Sequence, residues 1–350
     1  MNNDLIKKHI LIFKNDAVGD LTHSLHAINN IIETFKNSKI TIYLSERSKN
    51  FSFLIKNINV TFKIINYDLT TIQKIQIFYF IFTNKISKIY ILTPKSFYFL
   101  LAPIFKKIKF YGLCINGPNN YRRPIKFLRK YLFKYVINDR AAIFKRDSTV
   151  QLQSELTKNI DQLSNEFKFN TSIKISDLLK KYLPQDYIYF HVKKITVDKL
   201  GWGINELTYL FNELLKHYEY VIFTKDIKKD FSLDIFKDKF NVLDFLTKKF
   251  IKKDNNIILF DNIEGEDLFN TIRNSSKILA FHGMMTNLGS LEKKPIIDLW
   301  YCDINNWDDY RNYRNAFYEF KPKYPSYKFI IPNKDIKKTL RKMLFALQND

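Results

Sequence analysis

A Gly-Asp pair stands where a strand passes into a helix near the start of the chain. HILIF (9–13) is an apolar run of the kind that forms buried parallel strands, and the helical spacing begins after KNDAVGD. A carboxylate that follows such a strand can act as a general base, and Asp20 is the candidate. The same position also fits an ordinary helix N-cap. The turn holds one glycine, Gly19, so it is not a dinucleotide-binding loop, which needs three.

Other residue patterns that carry chemistry are sparse. No two aspartates occur at i, i+2, so the metal-binding Asp-x-Asp pair is absent from the sequence, and WDD (307–309) is a poor substitute. His23 and His26 lie three residues apart on the predicted first helix, but no third metal ligand is evident, and packing explains them as well. Cys114 and Cys302 are too few for a disulfide framework or a zinc site. We therefore predict no metal and no other cofactor.

A basic and aromatic stretch, YRRPIKFLRKYLFKY (121–135), has amphipathic spacing. Three hypotheses remain open for it: the solvated face of an ordinary helix, a surface for anionic headgroups with aromatic anchors, or a grip on a phosphorylated acceptor. The residues that would act in the last two cases are Arg122, Arg123, Lys126 and Arg129.

The elements that position these residues alternate between strands and helices, which predicts βαβ units and parallel sheets. The predicted fold class is α/β, with two Rossmann-like domains whose sheets face across a cleft. The first domain spans 1–168 and the second 169–332, and a basic helix in 333–350 is expected to pack back on the first domain. The predicted strands are residues 9–13, 39–44, 60–65, 87–92, 107–112, 187–192, 220–224, 256–260, 277–281 and 295–300.

Length and charge restrict the function. The 350 residues suffice for two domains, and Lys+Arg 57 against Asp+Glu 35 leaves a net charge of +22, which suggests an anionic partner. A genome rich in AT codons would also inflate the lysine count, so the net charge alone does not identify a partner. No signal peptide and no spanning segment are recognised, which predicts a cytoplasmic protein, with peripheral attachment to the inner membrane as one option.

KNDAVGDLTHSLHAI resembles the amino-terminal motif of glycosyltransferase family 9, the lipopolysaccharide heptosyltransferases. In that family a strand, a short loop ending in Gly-Asp and an apolar helix follow one another. The resemblance implies the GT-B fold and assigns the role of catalytic base to Asp20.

A second segment, 263–300, is similar to the carboxy-half motif of the same family, in which a loop contacts the nucleotide sugar. HGMMTN falls on that loop. The family's Asp, Gly and His positions carry His282, Met284 and Asn287 here, which puts the identity of the sugar in doubt. The resemblance implies that the donor-binding residues are Ile263, His282, Gly283, Met284, Met285, Thr286 and Asn287.

A third, weaker similarity covers FHVKKITVDKLGW (190–202), the loop in which the family uses hydroxyl residues and a lysine against the diphosphate. Lys199 matches that lysine. Lys193 and Lys194 stand where hydroxyl residues are more usual.

These resemblances imply a metal-independent, inverting glycosyltransferase. Its expected partners are a nucleotide-sugar donor, with heptose or a related sugar, and an anionic glycan or glycolipid acceptor such as a lipopolysaccharide core. Two alternatives stay open. A basic nucleic-acid-binding protein would explain the charge but shows no recognised motif, so no nucleic acid is expected. A degenerate GT-B protein would bind glycan without turnover.

Overall fold

The computed structural model describes residues 8–55, 59–116, 127–139, 148–157, 169, 172–226, 233–303, 305–306, 314, 316–317 and 319–348. The chain divides into two units. Unit 1 comprises Met1–Ser172 and Asn315–Lys321, and unit 2 comprises Ile173–Arg314 and Pro322–Asp350. The division falls close to the predicted boundary after residue 168, but the return of a short late segment to unit 1 was not predicted.

Unit 1 is built on a six-stranded parallel sheet in the order β3-β2-β1-β4-β5-β6. The strand order reverses between β1 and β4, the position at which open α/β sheets bind ligands. β1 is buried along its whole length, as a central parallel strand with both faces covered must be. The strands are β1 His9–Lys14, β2 Lys39–Ser45, β3 Val60–Ile65, β4 Ile86–Ile91, β5 Lys109–Asn116 and β6 Lys134–Asp139.

Four described helices belong to this unit: α1 Val18–Thr34, α2 Thr71–Thr83, α3 Ser96–Leu100 and α4 Thr149–Thr157. α1 buries Leu21, Leu25 and Ile28, which recur at helical spacing. α2 begins with a capping box, in which the Gln73 amide donates to Thr70 Oγ1 at 3.2 Å and the Gln73 side chain accepts from the Thr70 amide at 3.3 Å. α2 was missing from the predicted elements.

Unit 2 is built on an eight-stranded sheet in the order β10-β9-β11-β8-β7-β12-β13-β14, parallel except for the β10–β9 pair. Its strand order reverses between β7 and β12. The strands are β7 Tyr187–Val192, β8 Tyr220–Lys225, β9 Asn241–Asp244, β10 Lys249–Ile251, β11 Ile257–Asp261, β12 Lys277–Phe281, β13 Ile296–Leu299 and β14 Tyr327–Ile330. The described helices are α5 Asp177–Tyr182, α6 Lys194–Leu200, α7 Ile204–Leu214, α8 Leu233–Lys239, α9 Gly265–Asn274, α10 Met284–Leu291 and α11 Ile336–Gln348.

The last helix, α11, packs within unit 2, and its packing on the first domain stays a prediction. Ile336, Leu340 and Met343 are buried in the core of unit 2, together with Leu207 and Leu210 of α7. Its apolar stripe thus completes a core that already exists in the second unit. No described helix is long and apolar enough to cross a membrane.

The structure describes the basic stretch 121–135 only from residue 127 on. Arg122, Arg123 and Lys126 lie outside the described residues. Residues 127–128 are helical, Arg129 lies in the short 3₁₀ turn that follows, and the chain then enters β6, an edge strand of the sheet, at Lys134. The three hypotheses for the stretch therefore stay open.

Candidate functional site

The turn after β1 is held by buried polar groups. Asn15 is fully buried, and its amide donates to the carbonyl oxygens of Asn66 and Tyr67 at 3.1 and 3.4 Å. The Tyr98 hydroxyl donates to Asn15 Oδ1 at 2.6 Å. Ser45 donates to the carbonyl of Asp16 at 2.6 Å. The loops after β2, β3 and β4 therefore fix the conformation of this turn.

Asp16 forms a buried ion pair within the same turn. Its Oδ2 accepts from Lys14 Nζ at 2.8 Å and from Thr93 Oγ1 at 2.9 Å. Burial raises the pKa of the Asp16 carboxyl, Lys14 opposes that shift, and the negative charge of Asp20 adds to it. Asp16 Oδ1 is buried and accepts no hydrogen bond in the described structure.

Asp20 is the third residue of α1 and not its N-cap, which is Ala17. Gly19 accordingly lies inside the first turn of the helix and not in a tight turn before it. The Asp20 side chain is half-buried, and among the described residues nothing donates a hydrogen bond to its carboxylate. A carboxylate that neither caps its helix nor pairs with any described residue can accept a proton from a bound molecule.

Cations lie near these two carboxylates. Lys95 Nζ and the Arg47 guanidinium lie over the Tyr67 ring, at 4.4 and 4.2 Å from its centroid. Burial lowers the pKa of Lys95, while Asp16 is among the carboxylates that raise it, so the ammonium lies within the electrostatic reach of Asp16. These groups follow β2, β3 and β4, so they share the carboxyl edge of the sheet with Asp20.

In unit 2, the corresponding edge brings the ends of β7 and β12 together. Lys193 follows β7, and its Nζ donates to the carbonyl oxygen of His282, which follows β12, at 3.1 Å. Two further N–H bonds of the ammonium remain for a ligand. Lys193 thus links the ends of β7 and β12, the two strands between which the strand order reverses.

His282 is oriented by the buried carboxylate of Asp298. Its Nδ1 lies 2.7 Å from Asp298 Oδ2, and its ring stacks on Trp300 with centroids 3.5 Å apart. Asp298 also accepts from Thr286 Oγ1 and from the Tyr327 hydroxyl, each at 2.8 Å. Because an ionised carboxylate only accepts, Nδ1 carries a proton and Nε2 is left for another partner. The His282 side chain is 17% exposed.

Few side chains of the predicted donor loop around α10 are exposed, so a ligand there would contact mainly backbone groups. Met285, Thr286 and Asn287 are buried, and only Met284 of the first helical turn is half-exposed. Gly283 is the N-cap, and no side chain caps the helix. The first amides of a helix have no acceptor within it, and together they attract anions. The loop can therefore bind an anion through its amides, with His282 and Lys193 beside them.

The two remaining predicted donor residues lie apart from these contacts. Ile263 is buried in the core between β11 and α9. Lys199 is exposed on the last turn of α6, with its Nζ over the Tyr301 ring at 5.2 Å from the centroid. The described contacts bring Lys193, and not Lys199, to the loop.

A second histidine and carboxylate lie at the ends of β7 and β8, where His191 is within β7 and Asp226 follows β8. His191 Nδ1 lies 2.9 Å from Thr224 Oγ1, and His191 Nε2 lies 3.5 Å from Asp226 Oδ1. Although burial raises the pKa of Asp226, His191, the Lys194 amide and Lys193 lower it overall. Asp226 accepts a hydrogen bond from the Lys194 amide at 3.0 Å and thereby fixes the start of α6.

Arg129, predicted to face an acceptor or a membrane, is half-buried beside Cys114. Burial raises the pKa of the Cys114 thiol, and the positive charge of Arg129 opposes the shift. The Arg129 guanidinium also lies over the Tyr135 ring, 5.8 Å from its centroid. These contacts give Arg129 a packing role. The described residues contain no group of three or more His, Cys, Asp or Glu side chains placed to hold a metal ion.

Several residues of these two sites were not singled out from the sequence, among them the charged residues Lys14, Asp16 and Asp298. Each of these three lies in an apolar strand, HILIFK or IIDL, or two residues after it. A charge in a buried strand is costly unless it is paired, and that is the signal that could have identified them.

The fold has close counterparts among solved structures. ADP-heptose LPS heptosyltransferase II from E. coli matches with a TM-score of 0.65 and 13% identity, over 97% of this chain and 98% of the other. A family 9 glycosyl transferase from Veillonella parvula matches with a TM-score of 0.61 and 12% identity, over 96% of this chain and 89% of the other. No known protein-family model and no curated protein sequence matches the chain.

Other chemistry is found on the same fold. UDP-GlcNAc 2-epimerase from Methanocaldococcus jannaschii matches with a TM-score of 0.56 and 13% identity, over 99% of this chain and 93% of the other. At such identities the similarity establishes the fold and not the activity. The predicted α/β class, with the two Rossmann-like domains of GT-B proteins, is confirmed, and so is the resemblance to family 9 at the level of the fold.

Proposed function

We propose that the chain is a metal-independent, inverting glycosyltransferase that moves a sugar, heptose or a related one, from a nucleotide-sugar donor to an anionic glycan at the inner membrane, such as a lipopolysaccharide core. The observation that carries the proposal is the half-buried carboxylate of Asp20, which accepts no hydrogen bond from the described residues and lies at the carboxyl edge of β1, where the strand order reverses. The fold shared with an ADP-heptose transferase over nearly the whole chain supports it.

Asp20 would accept the proton of the acceptor hydroxyl as the acceptor oxygen forms its bond to the anomeric carbon. The bond between that carbon and the diphosphate oxygen breaks, and the electron pair leaves with the diphosphate. Attack from the opposite face inverts the configuration. The hydrogen bonds of Lys14, Asn15 and Asp16 fix the turn before α1. They would thereby hold Asp20, in the first turn of that helix, in position.

The leaving diphosphate needs compensation for its negative charge. In the absence of a metal, Lys193, His282 Nε2 and the first amides of α10 would supply it. Lys199, exposed on α6, is a further proposed contact to the donor. Hydrogen bonds between ionised groups are about twice as strong as neutral ones, so a small number of these contacts can compensate the charge of the diphosphate.

Lys95 and Arg47 lie on the same edge of the sheet as Asp20, and their positive charges support the proposal of an anionic acceptor. The stretch that contains Arg122, Arg123, Lys126 and Arg129 stays a proposed second contact to the acceptor or to the membrane. Of its members only Arg129 is described, and its contacts are internal.

The test begins with a thermal-shift panel of ADP-, UDP-, GDP- and CMP-sugars to identify the donor. Transfer is then measured for the parent, Asp20→Asn and a matched control, Asp177→Asn, which changes an exposed aspartate in the first turn of another helix. Because one general base contributes about 10²–10⁴-fold in rate, Asp20→Asn should lose that factor and Asp177→Asn should not. The affinity for nucleoside diphosphate should stay unchanged, and EDTA should leave transfer intact.

Transfer by Asp20→Asn within a few-fold of the parent would contradict the assignment of the base. Loss of transfer in EDTA, restored by Mg²⁺ or Mn²⁺, would refute the metal-free mechanism. Binding of a nucleotide sugar with neither transfer nor hydrolysis would favour the degenerate protein. Salt-sensitive binding to RNA without binding to any nucleotide sugar would favour a nucleic-acid-binding protein.

A further inference from the structure

One face of α2 exposes large apolar side chains. Tyr79 and Phe82 are 67% and 74% exposed, and Ile72 and Ile75 are 68% and 63% exposed. These positions recur at three- and four-residue spacing, so they form one stripe, which we name the α2 face. Phe78, 39% exposed, borders it. At 1.5 Å per residue, the face runs for about 15 Å along the helix.

The opposite side of α2 is apolar as well and packs on the sheet. Ile77 and Ile81 are buried in the core of unit 1, and the Phe80 ring makes an edge contact with Tyr43. The only charged residue of the helix is Lys74. An exposed apolar stripe of this length is typical of a contact surface, and no described residue covers it.

The charge around the α2 face identifies the partner. Residues 69–120, which exclude the 121–135 stretch, contain 7 Lys and Arg and no Asp or Glu. Seven of the twenty large apolar side chains that are exposed in the described part of the chain lie in this same segment, about a seventh of the sequence. Phe105 contacts Phe78 with ring centroids 5.1 Å apart, and the exposed Lys106 and Lys107 follow it directly. Asp68 precedes the α2 face by four residues, and no other acidic residue follows it before Asp139. Apolar side chains bordered mostly by lysines complement an anionic bilayer.

We propose that the α2 face is the surface by which unit 1 docks on an anionic phospholipid membrane. Tyr79 and Phe82 would enter the boundary between headgroups and acyl chains, and Lys85, Lys106 and Lys107 would contact phosphate groups. The partner is a lipid surface and not a second copy of the chain, because lysines on both sides of a symmetric contact would repel each other. This inference concerns a surface distinct from the 121–135 stretch, and it stands whether or not the chain transfers sugar.

Co-sedimentation with vesicles tests the proposal. The full chain should bind vesicles that contain phosphatidylglycerol far more tightly than pure phosphatidylcholine, and salt should weaken that binding. Tyr79→Ser/Phe82→Ser should lose about 10-fold or more in affinity, because each aromatic ring gains by leaving water. The matched control is Leu246→Ser/Phe345→Ser, whose side chains on unit 2 are 77% and 71% exposed, and it should bind like the parent. All four side chains are exposed, so neither variant should unfold.

A fluorescence experiment locates the contact independently. The Phe82→Trp emission should shift to the blue with these vesicles and be quenched by brominated lipid, while that of Leu246→Trp should not. Equal vesicle binding by the parent and Tyr79→Ser/Phe82→Ser, or unquenched Phe82→Trp in bound protein, would overturn the proposal. A parent that dimerises through α2 in sedimentation equilibrium and ignores vesicles would overturn it as well.

Discussion

At the scale of single residues, two lysines are candidates to bind the leaving diphosphate. Lys199 is the one that the resemblance to family 9 favours, and Lys193 is the one that contacts the loop before α10. Lys199 is exposed, and its described contact is with the Tyr301 ring. The Lys199 ammonium lies over the half-buried Tyr301 ring, whereas the Lys193 ammonium already contacts the loop before α10, so the geometry favours Lys193.

We expect Lys193→Gln to weaken the binding of the nucleoside diphosphate by roughly 10-fold or more, since a hydrogen bond to a charged group contributes about 1.5–3 kcal/mol. Lys199→Gln should weaken the binding of the nucleoside diphosphate by a few-fold at most. Titration calorimetry measures both, with Lys194→Gln as the control, because that ammonium pairs with Asp198 at 2.6 Å. A larger loss in Lys199→Gln than in Lys193→Gln would return the role to Lys199.

The residues of the sites were predictable to different degrees. Asp20 follows from a local pattern, a strand, a Gly-Asp pair and a helix, so a short window of sequence is enough. Asp16 and Asp298 depend on distant partners: Thr93 is 77 residues from Asp16, and Tyr327 is 29 residues from Asp298. Thr286 was predicted to face the donor, but its hydroxyl bonds to Asp298. Whether a polar side chain points to solvent or to such a network is decided by tertiary contacts.

At the scale of elements, the packing of α10 sets the position of the anion-binding amides. A Cβ on Gly289 would overlap with Ile278 Cδ1 and would lie 3.1 Å from Ile296 Cδ1. Glycine therefore allows the helix to lie close against β12 and β13. The close approach is needed because both isoleucines are fully buried and have little room to move.

Gly289→Ala should lower the free energy of unfolding by about 1–3 kcal/mol, because overpacking in the core outweighs the helix propensity of alanine. It should also weaken diphosphate binding, since α10 must shift. Urea unfolding measures the first effect and calorimetry the second. In an Ile278→Val background, which removes the overlapping methyl group, the cost of Gly289→Ala should shrink. The same cost in both backgrounds would show that the overlap is not the cause.

The elements themselves were predicted wherever their apolar pattern is simple. The buried strands β1, β2, β7 and β12 are short apolar runs, and the structure confirms them. α2 was missed because it is apolar on both sides and has no polar face to reveal its period. β6 was not predicted, because Phe133, Tyr135 and Ile137 are exposed, which reverses the usual alternation.

At the scale of the whole molecule, the positive charge is unevenly distributed. Residues 1–172 hold 27 basic and 11 acidic residues, whereas residues 173–350 hold 30 and 24. Codon bias would act on both halves alike, so it does not explain a net of +16 in the first half against +6 in the second. The surplus lies in the half that carries the α2 face and Asp20, where an anionic surface and an anionic acceptor are proposed.

The return of Asn315–Lys321 to unit 1 makes this unit depend on a late part of the chain. Glu319 is 3% exposed and accepts from Asn138 Nδ2 at 2.7 Å and from Thr149 Oγ1 at 3.2 Å. It thus connects β6 and α4, which lie about half a chain earlier in the sequence. A buried polar group that loses its partner costs about 1–3 kcal/mol, so two such groups are a large part of the stability of a domain.

We therefore expect Glu319→Leu to destabilise β6 and α4 locally, because the Asn138 amide and the Thr149 hydroxyl would stay buried without an acceptor. Glu319→Gln keeps one acceptor oxygen of the same reach and should cost clearly less. Hydrogen exchange read by mass spectrometry measures the effect, as faster exchange in peptides that cover 134–139 and 149–157 and unchanged exchange in β7 and β12. Unaltered exchange in Glu319→Leu, or equal acceleration in β7 and β12, would show that the segment does not support unit 1 in particular.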